Sequence, residues 1–263
     1  MSVRFGPVEA LLVADVGNTH IRVAVWDDDG LHDVQTVSTF APGEWRAAID
    51  RAVAAMADHA QRACAIVSVR PVEGRQFADL IESAAGLESL FVGVDIPLPL
   101  PVDVVEPREV GPDRVCSAAA AFERIQASCA VASFGTAITI DCVSSDGRFL
   151  GGAILPGLQM SCDALHQRTA RLPQVEPARP SGPFGRSTLD AIVNGVAFGA
   201  VGALREIVER YATELREWPE VVVTGGSAPI VAELADFIDA HVSDLCLTGA
   251  AIAYQKACGA TAR

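Results

Sequence analysis

Ala14-Asp15-Val16-Gly17-Asn18-Thr19 closes one apolar run, Leu11-Leu12-Val13-Ala14, and opens an alternating one, Ile21-Arg22-Val23-Ala24-Val25. The signature returns as Ala132-Ser133-Phe134-Gly135-Thr136-Ala137, between Ala130-Val131-Ala132 and Ile138-Thr139-Ile140-Asp141. Alternation reads as a half-buried strand and the glycine between runs as a tight turn. Each copy therefore predicts a β-hairpin with a small, hydroxyl-bearing tip. Such a tip lets backbone N–H groups come close to an anion, because glycine has no side chain in the way. Two matching tips facing each other would grip a polyphosphate from both sides.

Composition limits the readings around that duplication. The chain has 263 residues, half of them apolar, enough to bury one large core or two small ones. Its formal net charge of −13 argues against a nucleic-acid partner, since binding to phosphate backbones rewards basic surfaces. A local arginine cluster can still hold a small anion. No N-terminal apolar segment resembles a signal, and no apolar run reaches the ~20 residues of a membrane span, so a cytoplasmic protein is expected. The seven cysteines are odd in number, scattered, and form no C-x-x-C pair, which points to reduced thiols rather than disulfides or a metal centre. The five histidines (His20, His32, His59, His166, His241) lack metal spacing, and none is assigned to catalysis.

After the first hairpin, the apolar stripe Trp45, Ala48, Ile49, Ala52, Val53, Met56 predicts a helix over 43–60. Residues 64–69 read as a buried strand, 74–85 as a helix and 90–94 as a strand, followed by the proline-rich linker 97–101. The second half repeats this order: a helix over 118–127, the second hairpin, and a strand over 149–155. A long helix near 189–215, a strand over 221–224 and helices over 229–238 and 249–258 complete it. The expected architecture is α/β, two duplicated ribonuclease-H-like domains (1–112 and 113–263) with a nucleotide cleft between them.

Four places carry candidate chemistry. Asp15 ends an apolar strand, where a carboxylate is costly unless solvated, paired or close to a cation; a magnesium or phosphate role and a turn-capping role both fit. Thr136 of Gly135-Thr136 can donate its hydroxyl to a phosphate oxygen, or be an ordinary strand threonine. Gly111-Pro112-Asp113-Arg114 opens a helix with proline in its first turn. Asp113 there either complements the helix dipole or serves as a general base, kept ionised by the helix N-terminus, while Arg114 can hold a carboxylate or phosphate through two hydrogen bonds. Gly225-Gly226, after a strand, is either a close-approach site for a base or a simple turn.

These segments, together with Gly151-Gly152-Ala153-Ile154-Leu155-Pro156-Gly157, Ala164 to Ala170, Leu172-Pro173 and Gly185-Arg186-Ser187-Thr188, resemble the type III pantothenate kinases. The resemblance runs in order from Leu12 to about Tyr254. It implies the fold group of acetate and sugar kinases, heat-shock chaperones and actin. It also implies ATP-dependent phosphorylation of pantothenate to 4'-phosphopantothenate, the first step of coenzyme A biosynthesis. The expected cofactors are ATP, Mg²⁺ and a monovalent cation, K⁺ or NH₄⁺, and the expected assembly is a homodimer.

By the same resemblance, Asp15, Val16, Gly17, Asn18, Thr19, His20, Ile21 and Arg22 form the first ATP loop, and Gly135 and Thr136 the second. Asp15 supports Mg²⁺ through phosphate or water. Asp113 is the proton acceptor, and Gly111, Pro112, Arg114, Thr169 and Thr188 surround the substrate. Two positions depart from the pattern. Ser133 stands where the family carries an acidic cation ligand, which predicts weakened or altered monovalent-cation activation. Val104 stands where many members carry a tyrosine lining the substrate pocket. Two other classes share these features: a non-catalytic regulator like the Bvg accessory factor, and a kinase of another small alcohol.

Overall fold

β1 (Ala10–Val16) and β2 (His20–Asp27) form the first hairpin, with Val16 opposite Ile21 and Asp15 opposite Arg22. β3 (Gly30–Ser38) turns back through Asp28 and Asp29, as the acidic stretch before Gly30 predicts. β4 (Arg62–Ser68) joins β1 in parallel and β5 (Ser89–Phe91) joins β4, giving the order β3-β2-β1-β4-β5. The computed structural model describes residues 5–261.

Both faces of this sheet are covered, which is why β1 reads as a continuous apolar run rather than an alternating one. Leu12, Ala14 and Val16 face α1 (Pro42–Ala55) and α2 (Pro71–Ala85), against Trp45, Ile49 and Phe77. Trp45 donates its ring N–H to the Ser38 carbonyl at 2.9 Å, satisfying its polar edge inside the core. Leu11 and Val13 face the opposite way, against Leu247, Ala250 and Tyr254 of α7 (Leu245–Thr261). Thus the last helix of the chain completes the first sheet.

The second sheet repeats the first. β6 (Cys129–Phe134) and β7 (Ala137–Val143) form the second hairpin, β8 (Phe149–Pro156) extends it, and β9 (Glu220–Thr224) runs parallel to β6. With β10 (Ala240–His241) the order is β10-β9-β6-β7-β8, the topology of the first sheet read from the other edge. The expected duplicated ribonuclease-H-like arrangement is present. Its core sets Ala130, Ala132 and Phe134 against Leu158 of α4 (Leu158–Arg168), Leu204 and Val208 of α5 (Thr188–Leu215), and Val231 of α6 (Ala228–Ala232).

Several boundaries differ from the sequence-based expectation. α3 (Pro112–Ile125) begins at Pro112 rather than 118, because proline is suited to a first turn. α6 stops at Ala232 instead of 238. Asp239 pairs with Val221 through its backbone N–H (2.9 Å) and its carboxylate (2.7 Å), drawing the chain into β10. The compact units are also not consecutive halves. One gathers the chain up to Pro101, Val105–Ala120 and the segment from Leu245; the other gathers Val102–Val104 and Ala121–Asp244.

Candidate active site

In the first unit, the hairpin tip is closed by the Gly17 N–H donating to the His20 carbonyl at 3.0 Å. Thr39 holds it from outside: its hydroxyl donates to the Gly17 carbonyl at 3.0 Å and its N–H to the Thr19 carbonyl at 2.9 Å. Asn18 and His20 are exposed on this loop. Val16 and Ile21 are fully buried core residues, so only their backbone is free to serve a ligand.

Asp15 lies just before that tip, opposite Arg22. Burial raises its carboxyl to about 7, with the Asp113 charge adding to the rise; a hydrogen bond from the Cys246 thiol and the Arg22 charge pull it back. Asp113 sits in the first turn of α3. Burial pushes its carboxyl above the usual range, outweighing the backbone N–H of Arg114 and the Arg114 charge. Its Oδ1 is buried without a hydrogen-bond partner, and the missing side chain of Gly111 leaves that atom its space. A buried acceptor with no partner costs free energy, and such atoms cluster where a ligand supplies the missing bond.

This donor set suits a hard divalent cation. Mg²⁺ binds through one or two carboxylates and keeps water and phosphate oxygens as its remaining ligands. The Asp113 charge raises the cost of ionising Asp15, a cost that a nearby positive charge would relieve. Among the described residues no group of three or more His, Cys, Asp or Glu is placed to hold a metal ion.

In the second unit, the Gly135 N–H donates to the Ala137 carbonyl at 3.1 Å, the counterpart of the Gly17 bond in a loop one residue shorter. Gly135 and Thr136 are exposed. Backbone crowds this tip from two sides. Gly157 donates to the Thr136 carbonyl at 3.1 Å, and a β-carbon on it would strike the Gly135 and Thr136 carbonyls. Gly225 has φ +96 and lies so close to Phe134 that a β-carbon would fall 2.6 Å from its carbonyl oxygen. The first member of the Gly225-Gly226 pair thus lets the turn after β9 pack closely on the end of β6, while Gly226 faces open space. Ser133 occupies the place that Asp15 has in the first hairpin, in register with Thr139 and the buried Thr224. Its cross-strand partners bring hydroxyls and no carboxylate.

Thr169 and Thr188 line one cavity of about 740 Å³, with Leu155, Leu165, Ile192 and Val196. The Thr169 hydroxyl is engaged at the end of α4, donating to Leu165 at 2.8 Å and accepting from Leu172 at 3.3 Å. Thr188 begins α5 beside a capping box made by Ser187 and Asp190. Val104 is half-buried and faces Gly151. His166 is exposed, its Nδ1 bonded to the Leu172 carbonyl at 2.8 Å, as expected for a surface residue.

All seven cysteines are free thiols. Burial pushes Cys64 and Cys129 up to about 12 and Cys142 to about 11, so they are inert core residues. Cys246 is the residue that sequence reasoning missed. A lone thiol at the start of an apolar helix gives no sign of a carboxylate beside it.

The family model for type III pantothenate kinase matches residues 11–210. Type III pantothenate kinases from Geobacter sulfurreducens (35% identical) and Syntrophotalea carbinolica (37%) each align over 261 residues, spanning 94% of this chain and 98% of the relative. Among solved structures, a protein assigned to the Baf family of transcriptional activators from Campylobacter jejuni superposes with a TM-score of 0.61 at 18% identity. That match covers 93% of this chain and 98% of the other. The activator of 2-hydroxyisocaproyl-CoA dehydratase from Clostridium difficile, with bound ADPNP, gives 0.53 at 12% identity, covering 96% and 97%. Those two likenesses establish the fold, and the closer sequence matches establish the lineage: the chain belongs to the type III pantothenate kinase family.

Proposed function

We propose that this chain transfers the γ-phosphoryl group of ATP to the primary hydroxyl of pantothenate, the first step towards coenzyme A. The observation that carries the residue assignment is the buried, unpartnered Oδ1 of Asp113 at the start of α3, next to Asp15. The hydroxyl oxygen attacks phosphorus, the bond to the bridging oxygen breaks, ADP leaves, and Asp113 takes the hydroxyl proton. Arg114 orients the acceptor beside it, with Gly111 and Pro112 shaping the wall. Thr188 contributes a hydroxyl to the substrate region, and Thr169 and Val104 complete its lining.

The loop from Asp15 to Arg22 and the tip Gly135-Thr136 each take phosphate oxygens through backbone N–H groups and hydroxyls. When bound, Mg²⁺ supplies charge neutralisation across the phosphates, and Asp15 would hold it through phosphate or water. A coupled ATP-consumption assay with pantothenate, with and without K⁺, tests the assignment. No phosphorylation under any cation would sink it.

Ser133 carries a narrower prediction. A hydroxyl ligates K⁺ far more weakly than a carboxylate does, so the native protein should respond weakly to K⁺ or NH₄⁺. Ser133→Asp should respond several-fold more strongly. Equal activation of the two proteins would remove Ser133 from the cation position.

We place the protein in the cytoplasm as a homodimer, with the sequence boundary of its duplication at 112/113. The apolar outer face of α5, where Leu189 is 50% and Phe198 40% exposed, supports the dimer assignment. α5 has the length and hydropathy of a membrane span, but its inward residues Leu204 and Val208 are core.

A further inference from the structure

Two segments tether the tip of the first hairpin. Thr39 bonds the Gly17 and Thr19 carbonyls, and the Val69 N–H donates to the Val16 carbonyl at 3.2 Å. Carbonyl oxygens are the groups of such a tip that would repel a phosphate, and these three are occupied by the tethers. The residues that follow the two tethers meet: the Arg70 guanidinium lies over the Phe40 ring, 5.4 Å from its centroid. Arg70 is the firmly held partner. The Ser68 hydroxyl accepts from its N–H at 3.1 Å and donates to its carbonyl at 3.0 Å, and the Gly74 N–H donates to that carbonyl at 2.8 Å. A β-carbon on Gly74 would strike Ser68, so α2 starts hard against the end of β4. Glu73 pairs with the guanidinium.

We propose that Phe40 and Arg70 are positioning residues for the first phosphate loop: their contact joins the two tethers, so that the rigid turn between β4 and α2 steadies Thr39 and, through it, the Gly17-Asn18-Thr19 tip. The proposal rests on the kinase reading of that tip. Neither side chain touches the nucleotide in this role. A loop that takes phosphates through its backbone binds more tightly when its shape is set beforehand, because less ordering is left to occur on binding. Core packing does not account for the contact. Phe40 is 68% exposed and buries little apolar area. Arg70 also leaves its Nε buried without a hydrogen-bond partner, so its side chain is not placed there to satisfy its donors.

The test compares Phe40→Ala, Arg70→Met and the double variant with Phe40→Tyr, which keeps the ring face. Two readouts are needed: calorimetric binding of ADP with Mg²⁺, which needs no turnover, and the KM values for ATP and for pantothenate. Each single variant should weaken ADP binding and raise KM for ATP by about threefold, the scale of an exposed cation–π contact. KM for pantothenate should stay near native. The double variant should show the same loss as either single one, because each substitution alone already breaks the contact. Phe40→Tyr should bind ADP as the native protein does. Native ADP affinity in Phe40→Ala, losses that multiply in the double variant, or an equal rise in both KM values would overturn the proposal. If the native protein binds ADP but never phosphorylates pantothenate, the acceptor assignment falls. Matching, non-multiplying losses of ADP affinity would still support the role of Phe40 and Arg70. A native protein that binds no ADP would remove the phosphate role of the tip, and the positioning role with it.

Discussion

Asp113→Asn should lower kcat by about three orders of magnitude, within the ~10²–10⁴ range for losing a positioned general base, and the folded protein should survive the change. The asparagine amide matches the carboxylate in shape but cannot take up the hydroxyl proton. Because the native carboxyl is buried and pushed above its usual range, removing its charge takes away a cost of folding rather than a support. Thermal stability at pH 8 should therefore equal or exceed that of the native protein. Circular dichroism melts beside the coupled assay separate this result from simple unfolding. The native pH profile provides a second check: kcat/KM should fall on an acid limb centred above the ordinary carboxylate range near 4. Near-native activity in Asp113→Asn would reassign the base and leave the family membership untouched.

Local features of this site were legible in the sequence, and long-range ones were not. Gly17 and Gly135 announce their turns because a hairpin tip is set by neighbouring residues, and both tips close with the same glycine-to-carbonyl bond. The stripe from Trp45 to Met56 announces α1 for the same reason. The packing of α7 on the first sheet depends on contacts between Leu247 or Ala250 and Leu11 or Val13, far apart in sequence, which no window of the chain contains.

Asp113 shows the same limit in electrostatics. Its place in a first turn is readable, but the burial that raises its carboxyl is a property of the packed molecule. The resemblance sets Thr169 beside the substrate, and only the fold of α4 shows its oxygen tied to Leu165 and Leu172. The departure at Ser133 was visible in the repeat itself, because the copies align residue by residue.

Asp15→Asn should abolish kinase activity and at the same time stabilise the nucleotide-free protein at neutral and alkaline pH. The sign follows from proton binding. The folded carboxyl lies near 7 and the unfolded one near 3.8, so between these values the folded state holds more protons than the unfolded state. Stability must then fall as pH rises through that window. The full shift corresponds to an upper bound of about 4 kcal/mol above pH 7, at ~1.4 kcal/mol per pH unit. The realised difference should be smaller, because asparagine also gives up the thiol hydrogen bond of Cys246 and the charge of Arg22.

Melting native and Asp15→Asn proteins in chelator from pH 4 to 8 should show curves that coincide near pH 4 and separate upwards, with the variant melting higher. A constant gap across pH, or a variant less stable at pH 8, would show that Asp15 is not a strained carboxylate. Adding Mg²⁺ and ADP at pH 8 should raise the native melting temperature more than that of the variant, since a bound cation relieves the cost that asparagine has already removed. Asp15 would then be a residue whose charge destabilises the empty fold and is retained for the ligand.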